Sequence, residues 1–369
     1  MFAESLSLVN YRNIENQTVC FSPGVNFLYG DNAQGKTNVL EALYFYARGK
    51  SFRLASDKEQ MGFGKQFFET KLCFQNKERR QELYYRVSGN ERIRKRNGMP
   101  VTRPAEMLGH FRCVLFFPEN LQMVKGGPEE RRDFLNVAIA QSIPSYLSEY
   151  AKYKKTLEQR NALLKTAQKT GVFDEKQFYA WSYSLAQSGA RIHVLRQEYL
   201  RPLSHFASSF MEELSDGKEK LKIKYESSVG AEEGMTEEEV LEALLLHLTE
   251  NQQRETAVGF TLFGVHRDDL SLQINGKEAR MFSSQGQQRS IVLCMKMAEG
   301  EAGRSFGGEY PVYLFDDVLS ELDEGRRSFI LKGMNDRQVI MTGCERSLLS
   351  RTDANLIEVV GGQYVSSHR

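Results

Sequence analysis

The stretch Val25–Asn38, which reads VNFLYGDNAQGKTN, decides the fold because it joins a strand, a glycine-rich loop and a helix. The apolar run from Val25 to Tyr29 has the pattern of a buried strand. Beyond Thr37, apolar residues recur at helical spacing as far as Ala47. The segment therefore predicts a strand, a tight turn and a helix in direct succession.

The loop from Gly30 to Thr37 matches G-x-x-x-x-G-K-[ST] in the strand-to-helix context that this pattern requires. Its glycines let the backbone wrap a phosphate chain, and the N–H groups at the helix start point toward the anion. Lys36 is expected to reach the β- and γ-phosphates of ATP, and Thr37 to place its hydroxyl on Mg²⁺. An ordinary glycine-rich turn is the alternative, which this context disfavours. The predicted nucleotide-binding residues here are Gly30, Asp31, Asn32, Ala33, Gln34, Gly35, Lys36, Thr37 and Asn38.

A second apolar strand ends in two carboxylates, in the segment Val312–Asp317. Ligands of α/β sheets bind at the carboxyl ends of the strands, so Asp316 is expected to hold Mg²⁺, directly or through water. Asp317 is expected to orient or deprotonate the attacking water, which makes it, with Lys36, a predicted catalytic residue. Alone, this pattern would suit helix-capping or surface aspartates. The phosphate loop in the same chain favours the metal and water roles.

Two short segments flank the carboxylate strand. The first, Phe282–Gln288, opens a predicted helix with serine and glycine, which can form an anion-binding surface at a helix N-terminus. On its own, S-x-G-Q is more typical of a simple N-cap. The second, Ser320–Asp323, reads SELD and follows the carboxylates directly.

Composition excludes several classes of protein. The chain has 369 residues, of which 41% are hydrophobic and 26% charged, unlike disordered, collagen-like or purely coiled-coil chains. No uncharged apolar run approaches the roughly 18 residues of a membrane span, and the first residues lack a signal-peptide pattern. We therefore expect a cytoplasmic protein without membrane contact. The 5 cysteines are odd in number and far apart, which predicts buried free thiols rather than disulfides.

The middle of the chain is predicted to be helical. Mostly apolar residues recur at three- to four-residue spacing over residues 147–164 and again over 178–199, with polar residues at some positions, and the turn-like Thr166–Gly171 separates the two runs. This pattern predicts an antiparallel helical hairpin. Strand patterns return at Thr261–Val265 and Leu270–Ile274.

These patterns predict an α/β protein of two lobes with a β-rich N-terminal part. The first lobe, a nucleotide-binding head, comprises residues 1–120 and 256–369, and the second, an inserted α-helical arm, comprises residues 121–255.

Basic residues cluster locally although the net charge is only +1. Such clusters suit nucleic-acid phosphates, in contacts that are salt-dependent and weakly sequence-specific. They equally suit solvated hairpin tips and helix faces. The predicted DNA-binding residues are Arg92, Arg94, Lys95, Arg96, Lys152, Lys154 and Lys155.

The order of the motifs resembles that in the ABC-type ATPase heads of the SMC and DNA-repair class, and most closely in the bacterial RecF family of DNA replication and repair proteins. The resemblance covers nearly the whole chain. The segments that carry it are NYRN at 10–13, GDNAQGKTN at 30–38, GKSFR at 49–53, FFPENLQMVKGGPEERRDFLN at 116–136, HRDDL at 266–270, SSQGQQRS at 283–290 and FDDVLSELD at 315–323.

The resemblance implies an ABC-type P-loop ATPase head whose ATP sites are completed only in a head-to-tail pair of subunits. The γ-phosphate held by one subunit would then face three residues of the other, namely Ser284, Gly286 and Gln287. Asp323 would lie at the same seam. Arg12 would contact nucleotide by analogy with related heads, although an exposed arginine after a strand is the alternative.

The same resemblance implies a clamp on double-stranded DNA at or near single-strand/double-strand junctions. Slow, DNA-stimulated ATP hydrolysis would release it, and with RecR and RecO it would promote loading of RecA. Two features depart from the ABC pattern. The usual histidine after the last core strand is absent from Ile340–Gly343, and Pro118–Asn120 stands where a glutamine loop is expected.

Three other functions remain open on the sequence. A small-molecule kinase would need an acceptor pocket and no S-x-G-Q element. A transporter's nucleotide-binding subunit would keep the missing histidine and would not need the helical arm. A scaffold that binds ATP without turnover is harder to exclude, because Asp317 stands where a glutamate is more usual and is compatible with very slow hydrolysis.

Overall fold

The computed structural model describes residues 1–53, 56–334, 336–345 and 354–367. It divides into two compact units. The first comprises Met1–Asn120 and Val292–Arg369, and the second comprises Leu121–Ile291. The α/β class agrees with the sequence-based expectation.

The described residues form fifteen strands and eleven α-helices. The strands are β1 (Phe2–Tyr11), β2 (Ile14–Cys20), β3 (Val25–Tyr29), β4 (Phe67–Gln75), β5 (Arg80–Ser88), β6 (Glu91–Arg96), β7 (Met99–Pro100), β8 (Cys113–Phe116), β9 (Leu221–Glu226), β10 (Asp269–Ile274), β11 (Lys277–Glu278), β12 (Val312–Phe315), β13 (Val339–Gly343), β14 (Asn355–Val360) and β15 (Gln363–Ser367). The α-helices are α1 (Lys36–Arg48), α2 (Gln122–Lys125), α3 (Pro128–Ser142), α4 (Pro144–Thr170), α5 (Glu175–Leu214), α6 (Glu237–Glu250), α7 (Gln252–Val258), α8 (Ala279–Phe282), α9 (Gln285–Gly307), α10 (Val318–Glu321) and α11 (Glu324–Lys332). Three 3₁₀ turns cover Asp57–Gln60, Pro104–Met107 and Pro118–Leu121.

The first unit contains two six-stranded sheets. One is antiparallel, in the order β2-β1-β4-β5-β6-β7. Buried and more exposed residues alternate along β4 and β5, as expected when only one face of a sheet meets the core. The other sheet has the order β15-β14-β3-β13-β12-β8, in which only β15 runs antiparallel to its neighbour.

Helix α1 lies in the core of the first unit. Its buried residues surround the helix, because it packs against β4 of the antiparallel sheet as well as against β8 and β13 of the parallel one. The core cluster accordingly joins side chains of both sheets with apolar side chains of the helix, such as Leu40 and Leu43. This packing fixes the helix start at the carboxyl end of β3, where the phosphate loop lies.

The second unit is built on the long helices α4 and α5. Three contacts set their register. Tyr146 is hydrogen-bonded to Arg196, the Tyr153 ring packs beside Gly189, and Arg160 is hydrogen-bonded to Ser182. From the first pair to the last, the residue number rises along α4 while it falls along α5. The two helices are therefore antiparallel, as predicted. Three strands in the order β11-β10-β9 complete the unit.

The second domain boundary differs from the predicted one. The arm was expected to end at residue 255, whereas the second unit continues to Ile291. The reason is that β10 pairs with β9, so that Asp269–Ile274 belongs to the sheet of the second unit. Strand β9 was not recognised because its sequence, LKIKYE, lies within residues 121–255, which were interpreted as an α-helical arm.

The strand predicted over Thr261–Val265 is wrong. This segment is irregular, and its polar groups are satisfied by helical side chains instead of by a strand. The Thr261 amide donates to Asn161 Oδ1 (2.8 Å), and Arg196 donates to the Val265 carbonyl (2.7 Å). Gly264 has φ +127°, outside the range of β-strands.

Candidate functional site

The phosphate loop connects β3 to the first turn of α1. Three of its residues have positive φ: Gly30 (+146°), Ala33 (+63°) and Gly35 (+112°). At Gly30 a Cβ atom would overlap the Val359 carbonyl oxygen, so the loop passes β14 where only glycine fits. Helix α1 has no acidic residue in its first turn, which leaves its positive N-terminal end available to an anion.

A second hairpin supports this loop from the C-terminal end of the chain. The turn between β14 and β15 donates the Gly361 amide to Gln34 Oε1 (2.6 Å) and the Gly362 amide to the Gln34 carbonyl (3.1 Å). The Tyr364 hydroxyl donates to the Gly35 carbonyl (3.0 Å). This support was not predicted, because the hairpin carries no motif.

Lys36 is 7% exposed, and its ammonium group turns back over the loop. It donates to the carbonyl oxygens of Gly30 and Asp31, the latter at 3.1 Å. No carboxylate among the described residues pairs with it. Its described partners are neutral groups, so its positive charge is available to an incoming phosphate.

The structure brings together Thr37 and Asp316, the two residues proposed from the sequence to hold Mg²⁺. Thr37 Oγ1 donates to Asp316 Oδ1 at 2.8 Å, although the two residues are 279 positions apart in the chain. Burial raises the pKa of the Asp316 carboxyl group, against the opposing effect of hydrogen bonds from Thr37 and Thr342. Within the described residues no lysine or arginine forms an ion pair with it.

This pair of oxygen ligands fits Mg²⁺. Magnesium prefers oxygen ligands and usually keeps several waters, with one or two carboxylates and substrate phosphates completing its shell. The Thr37 hydroxyl donates its hydrogen bond to Asp316, so the lone pairs of its oxygen are available to a cation. The described residues contain no group of three or more His, Cys, Asp or Glu placed to hold a metal.

Asp317 follows the strand in a left-handed conformation (φ 52°, ψ 24°) and lies at the N-cap position of α10. Its amide donates to Thr342 Oγ1 (2.9 Å), and its carboxylate accepts from the Ser320 hydroxyl (3.1 Å). A non-glycine residue in this region of φ/ψ space is uncommon and is held there by its surroundings. The strand therefore ends in a sharply turned carboxylate beside Asp316.

The end of β13 lies next to Asp316 and Asp317. It belongs to the segment Ile340–Gly343, in which the usual ABC histidine is absent. Thr342 contacts both Asp316 (2.9 Å) and Asp317 (2.9 Å), and Cys344 Sγ lies 3.7 Å from Lys36 Nζ. Neither residue was singled out as part of the site. The prediction of buried thiols is also wrong for Cys344 and Cys20, which are both exposed.

Arg12 makes a bidentate ion pair with Glu41, at 2.8 and 2.9 Å from Nη2 and 3.1 Å from Nε. Glu41 lies on α1 with its side chain fully buried, and it also accepts from the Ser51 hydroxyl. The Arg53 guanidinium lies 3.8 Å from the same carboxylate. Arg12 was proposed to contact nucleotide, and the structure shows it bound within its own unit to a residue that was not predicted from the sequence.

Asparagines extend this cluster to the phosphate loop. Asn38 donates to Asn13 Oδ1 (2.8 Å) and accepts from Arg53 (3.1 Å), and Asn13 in turn donates to the Gln34 carbonyl (3.3 Å). The motifs NYRN, GDNAQGKTN and GKSFR, which are separate in sequence, therefore form one polar cluster at the start of α1.

The segment before α9 forms a reciprocal cap. Ser284 Oγ accepts from the Gln287 amide (3.2 Å), while Gln287 Oε1 accepts from the Ser284 amide (2.9 Å). The Gln287 side-chain amide also donates to Glu219 (2.8 Å). Ser284 is exposed and Gly286 is partly exposed at the N-terminus of a 23-residue helix, the arrangement expected of an anion-binding surface.

Asp323 is the N-cap of α11. Its carboxylate accepts the Arg326 amide (2.9 Å) and forms an ion pair with the Arg326 guanidinium. The hydrogen bond from the Arg326 amide holds the pKa of Asp323 below its ordinary value. The structure therefore gives Asp323 a capping role within its own unit.

The basic cluster on β6 is not one patch. Arg92, Arg94 and Arg96 face the same side as the buried residues of β5, since each lies opposite one of them, whereas Lys95 lies opposite Tyr84 on the other side. Arg92 is bound to Asp57 (2.9 Å). The sequence cluster is divided because successive side chains of a strand point to opposite faces.

The remaining members of the basic clusters differ in their freedom. Arg94 lies over the Tyr85 ring, and Arg96 contacts His110 (2.5 Å). Lys152, Lys154 and Lys155 are all exposed on α4, where they leave a charged face open to a polyanion.

None of the described helices is long and apolar enough to cross a membrane.

Both the sequence and the fold are similar to those of known proteins. A family model described as an AAA domain matches residues 5–258. Proteins named "DNA replication and repair protein RecF" are 36% identical over 94% of this chain in Acetivibrio thermocellus and 37% identical over 98% in Bacillus cereus strain G9842, with the same shares of those proteins covered.

Solved structures agree with these relatives. Two structures of the recombination mediator protein RecF in the RecFOR pathway, described as RecF-ATPrS and RecF-ATP, superpose with TM-scores of 0.93 and 0.90 at 34% identity. They cover 100% and 99% of this chain, and 98% and 99% of those chains are matched. An Smc head domain of Pyrococcus furiosus superposes with a TM-score of 0.57 at 16% identity, covering 99% of this chain and 96% of that one, and shares the fold.

Proposed function

The chain belongs to the RecF family of DNA replication and repair proteins, and from that membership we propose that it is an ATP-switched clamp on double-stranded DNA. The observation that carries the proposal is the 2.8 Å contact between Thr37 and Asp316 at the N-terminus of α1. It joins a phosphate loop to a carboxylate that forms no ion pair among the described residues, which is the arrangement that a nucleotide and its cation require.

The residues of the loop would bind the phosphates of ATP. Backbone N–H groups at the start of α1 and the Lys36 ammonium would contact the β- and γ-phosphates, with Lys36 exchanging its carbonyl partners for phosphate oxygens. Mg²⁺, held by Thr37 and Asp316, would neutralise charge on the phosphates. Asp317 would orient the water that attacks the γ-phosphate.

ATP would also join two copies of the chain. We propose that Ser284, Gly286 and Gln287 of a second copy face the γ-phosphate, with Asp323 at the same seam. The reciprocal cap on Ser284 and the exposure of this helix N-terminus support the proposal, since together they present a preformed surface to an anion. Hydrolysis would remove the γ-phosphate between the subunits and release the pair.

Lys95 and the α4 lysines are the basic residues whose exposure best supports DNA contact, and the sequence cluster on β6 contributes fewer free charges than it suggested. We propose that the dimer binds double-stranded DNA near junctions with single strands. It would assist RecA loading together with RecR and RecO, and DNA would stimulate its slow hydrolysis of ATP.

A nucleotide-binding and turnover experiment tests the proposal. ATP affinity and the rate of phosphate release are measured with and without duplex DNA, for the native chain and for Lys36→Met. The proposal expects DNA to raise the rate and Lys36→Met to lose both binding and turnover. Lys176→Met, an exposed helical lysine in the second unit, is the matched control and should behave as the native chain. Turnover that responds to a metabolite and not to DNA would contradict the proposal and favour a kinase.

A further inference from the structure

The strand order places the end of β13 between the phosphate loop, which follows β3, and the carboxylates that follow β12. Strand β13 pairs in parallel with β3 on one side and with β12 on the other. Thr342 lies beside Leu28 of β3, and Met341 lies beside Phe315, the residue before Asp316. A side chain at position 342 is therefore next to the carboxylates that follow β12.

Thr342 is 1% exposed, and its hydroxyl group has two hydrogen-bond partners here. The Asp317 amide can only donate, so its 2.9 Å contact makes Thr342 Oγ1 an acceptor there. The hydroxyl proton is then left for Asp316 Oδ1, which lies at 2.9 Å and, as an ionised carboxylate, only accepts. One hydroxyl thus ties the two carboxylate-bearing residues together.

We propose that Thr342 is a positioning residue that aims the Asp316 carboxylate at the metal and holds Asp317 in its turned conformation; this inference rests on the proposed nucleotide site. Two hydroxyl groups, from Thr37 and Thr342, converge on the same oxygen of Asp316 and fix its rotation. The bond from the Asp317 amide stabilises the left-handed backbone (φ 52°), from which the carboxylate of that residue projects.

A purely structural role would be the other explanation, in which Thr342 serves only to satisfy a buried amide. The two explanations differ in what they predict for metal binding. Residues that orient metal ligands by hydrogen bonding affect metal affinity or activity by about 10- to 100-fold. A residue that only satisfies a buried amide would affect folding and leave the metal affinity of the folded protein unchanged.

The test measures Mn²⁺ binding by electron paramagnetic resonance in the presence of a non-hydrolysable ATP analogue, together with ATP turnover in Mg²⁺. Thr342→Val removes the hydroxyl at nearly constant volume, and Thr342→Ser retains it. The inference expects Thr342→Val to weaken Mn²⁺ binding by about 10-fold or more, and Thr342→Ser to remain within about 3-fold of the native chain. Binding of the analogue without metal should be unchanged in both variants.

Thr70→Val is the matched control, because Thr70 is also a buried strand threonine whose hydroxyl is bonded, here to Tyr46 (2.8 Å). It should not alter Mn²⁺ binding. Native Mn²⁺ affinity in folded Thr342→Val would overturn the inference, as would a loss in Thr342→Ser as large as in Thr342→Val. If Thr342→Val does not fold, Thr342→Ser and Thr342→Ala decide by the same comparison. A native chain that binds the metal–nucleotide complex without hydrolysing ATP would contradict the proposed turnover, while the metal measurement would still decide on Thr342.

Discussion

Two pairs of adjacent aspartates, Asp316–Asp317 and Asp268–Asp269, look alike in sequence and differ in their surroundings. Asp269 makes a bidentate ion pair with Arg131 at 2.7 and 2.8 Å. Asp268 accepts the Tyr225 hydroxyl (2.6 Å) and the Ser228 amide (2.7 Å). Around Asp316 the described partners are two threonine hydroxyls. The Asp268–Asp269 pair is neutralised in part by Arg131 of the same chain, whereas the Asp316–Asp317 pair leaves its charge available to a ligand.

The same contrast holds between the two units. In the second unit the fully buried Arg160 is bound to Glu255 (2.5 Å), Ser182 (2.9 Å) and Thr261 (2.7 Å), so its charge and its donors are matched internally. In the first unit Lys36 has carbonyl partners and no carboxylate among the described residues. Buried charges that are matched within the protein fasten the fold, while buried charges without a counter-charge mark a binding site.

The largest effect that would break this comparison is expected at Asp316. Asp316→Asn should reduce ATP hydrolysis by at least about 100-fold, since it removes the charged ligand of the cation. Burial raises the pKa of this carboxyl group, so its ionised form is less favourable in the folded chain than in the unfolded one. The thermal midpoint should therefore not fall. Phosphate-release assays and thermal melts of the same sample give both results, and a destabilised Asp316→Asn would place this residue with the structural pair.

The opposite pattern is expected at Asp269. Asp269→Asn leaves the buried Arg131 guanidinium without its counter-charge, which typically costs about 3 kcal/mol of unfolding free energy. Denaturant unfolding measures this loss, and ATP affinity of the folded fraction should stay unchanged. Asp216→Asn is the matched control, because Asp216 is exposed in a left-handed turn that asparagine also adopts. Equal stability of the Asp269 and Asp216 variants would contradict the account.

The pH dependence of the second unit gives a smaller effect. Burial lowers the pKa of His266 to about 4, and its ring lies between the Tyr153 hydroxyl (2.6 Å) and the Thr261 carbonyl. The folded chain keeps this histidine neutral where the unfolded chain, at pKa 6.5, takes up a proton, so stability falls as the pH drops below 6.5. The contribution of His266 makes the free energy of unfolding about 2 kcal/mol smaller at pH 5 than at pH 7.

His266→Gln should remove this part of the pH dependence, as measured by denaturant unfolding at the two pH values. Burial also lowers the pKa of His193 and His110, so a weaker dependence in the same direction should remain in the variant. An unchanged difference between pH 7 and pH 5 in His266→Gln would show that the other histidines account for it.

The smallest effect concerns single charges on the surface that we propose to bind DNA. Replacing Lys152, Lys154 and Lys155 by glutamine should lower the slope of log affinity against log salt by about 1 for each DNA phosphate that is no longer neutralised. Arg92→Gln should leave that slope unchanged, because its guanidinium is bound to Asp57. Titrations of duplex DNA between low and moderate salt distinguish the two, and a reversed order would mean that the partly buried face of β6 binds DNA.

The sequence predicted the parts of the site that lie within continuous motifs. The phosphate loop was placed correctly between β3 and α1, and Asp316 correctly at the end of β12, because a strand, a loop and a helix leave a local pattern. The sequence could not predict that β13 lies between β3 and β12, since strand order depends on long-range pairing. Thr342 was therefore missed.

Other omissions have similar causes. Glu41 was overlooked among the apolar residues of α1, although a carboxylate within a buried helical face needs a partner, which in the structure is Arg12. The basic run on β6 suggested one patch because the strand itself was not recognised, and with it the alternation of its faces. The HRDDL segment carries as many charges as a catalytic motif, and only its contacts with Arg131 and Tyr225 identify it as structural.

Molar mass in solution, measured by light scattering with and without ATP and Mg²⁺, tests the central claim most directly. Asp317→Asn would slow turnover so that the ATP-bound state persists, and Lys36→Met would serve as the control that cannot bind phosphate. The account predicts that ATP doubles the mass of Asp317→Asn and leaves that of Lys36→Met unchanged. A chain that binds ATP and remains a monomer would contradict the claim that ATP joins two copies through Ser284 and Gly286.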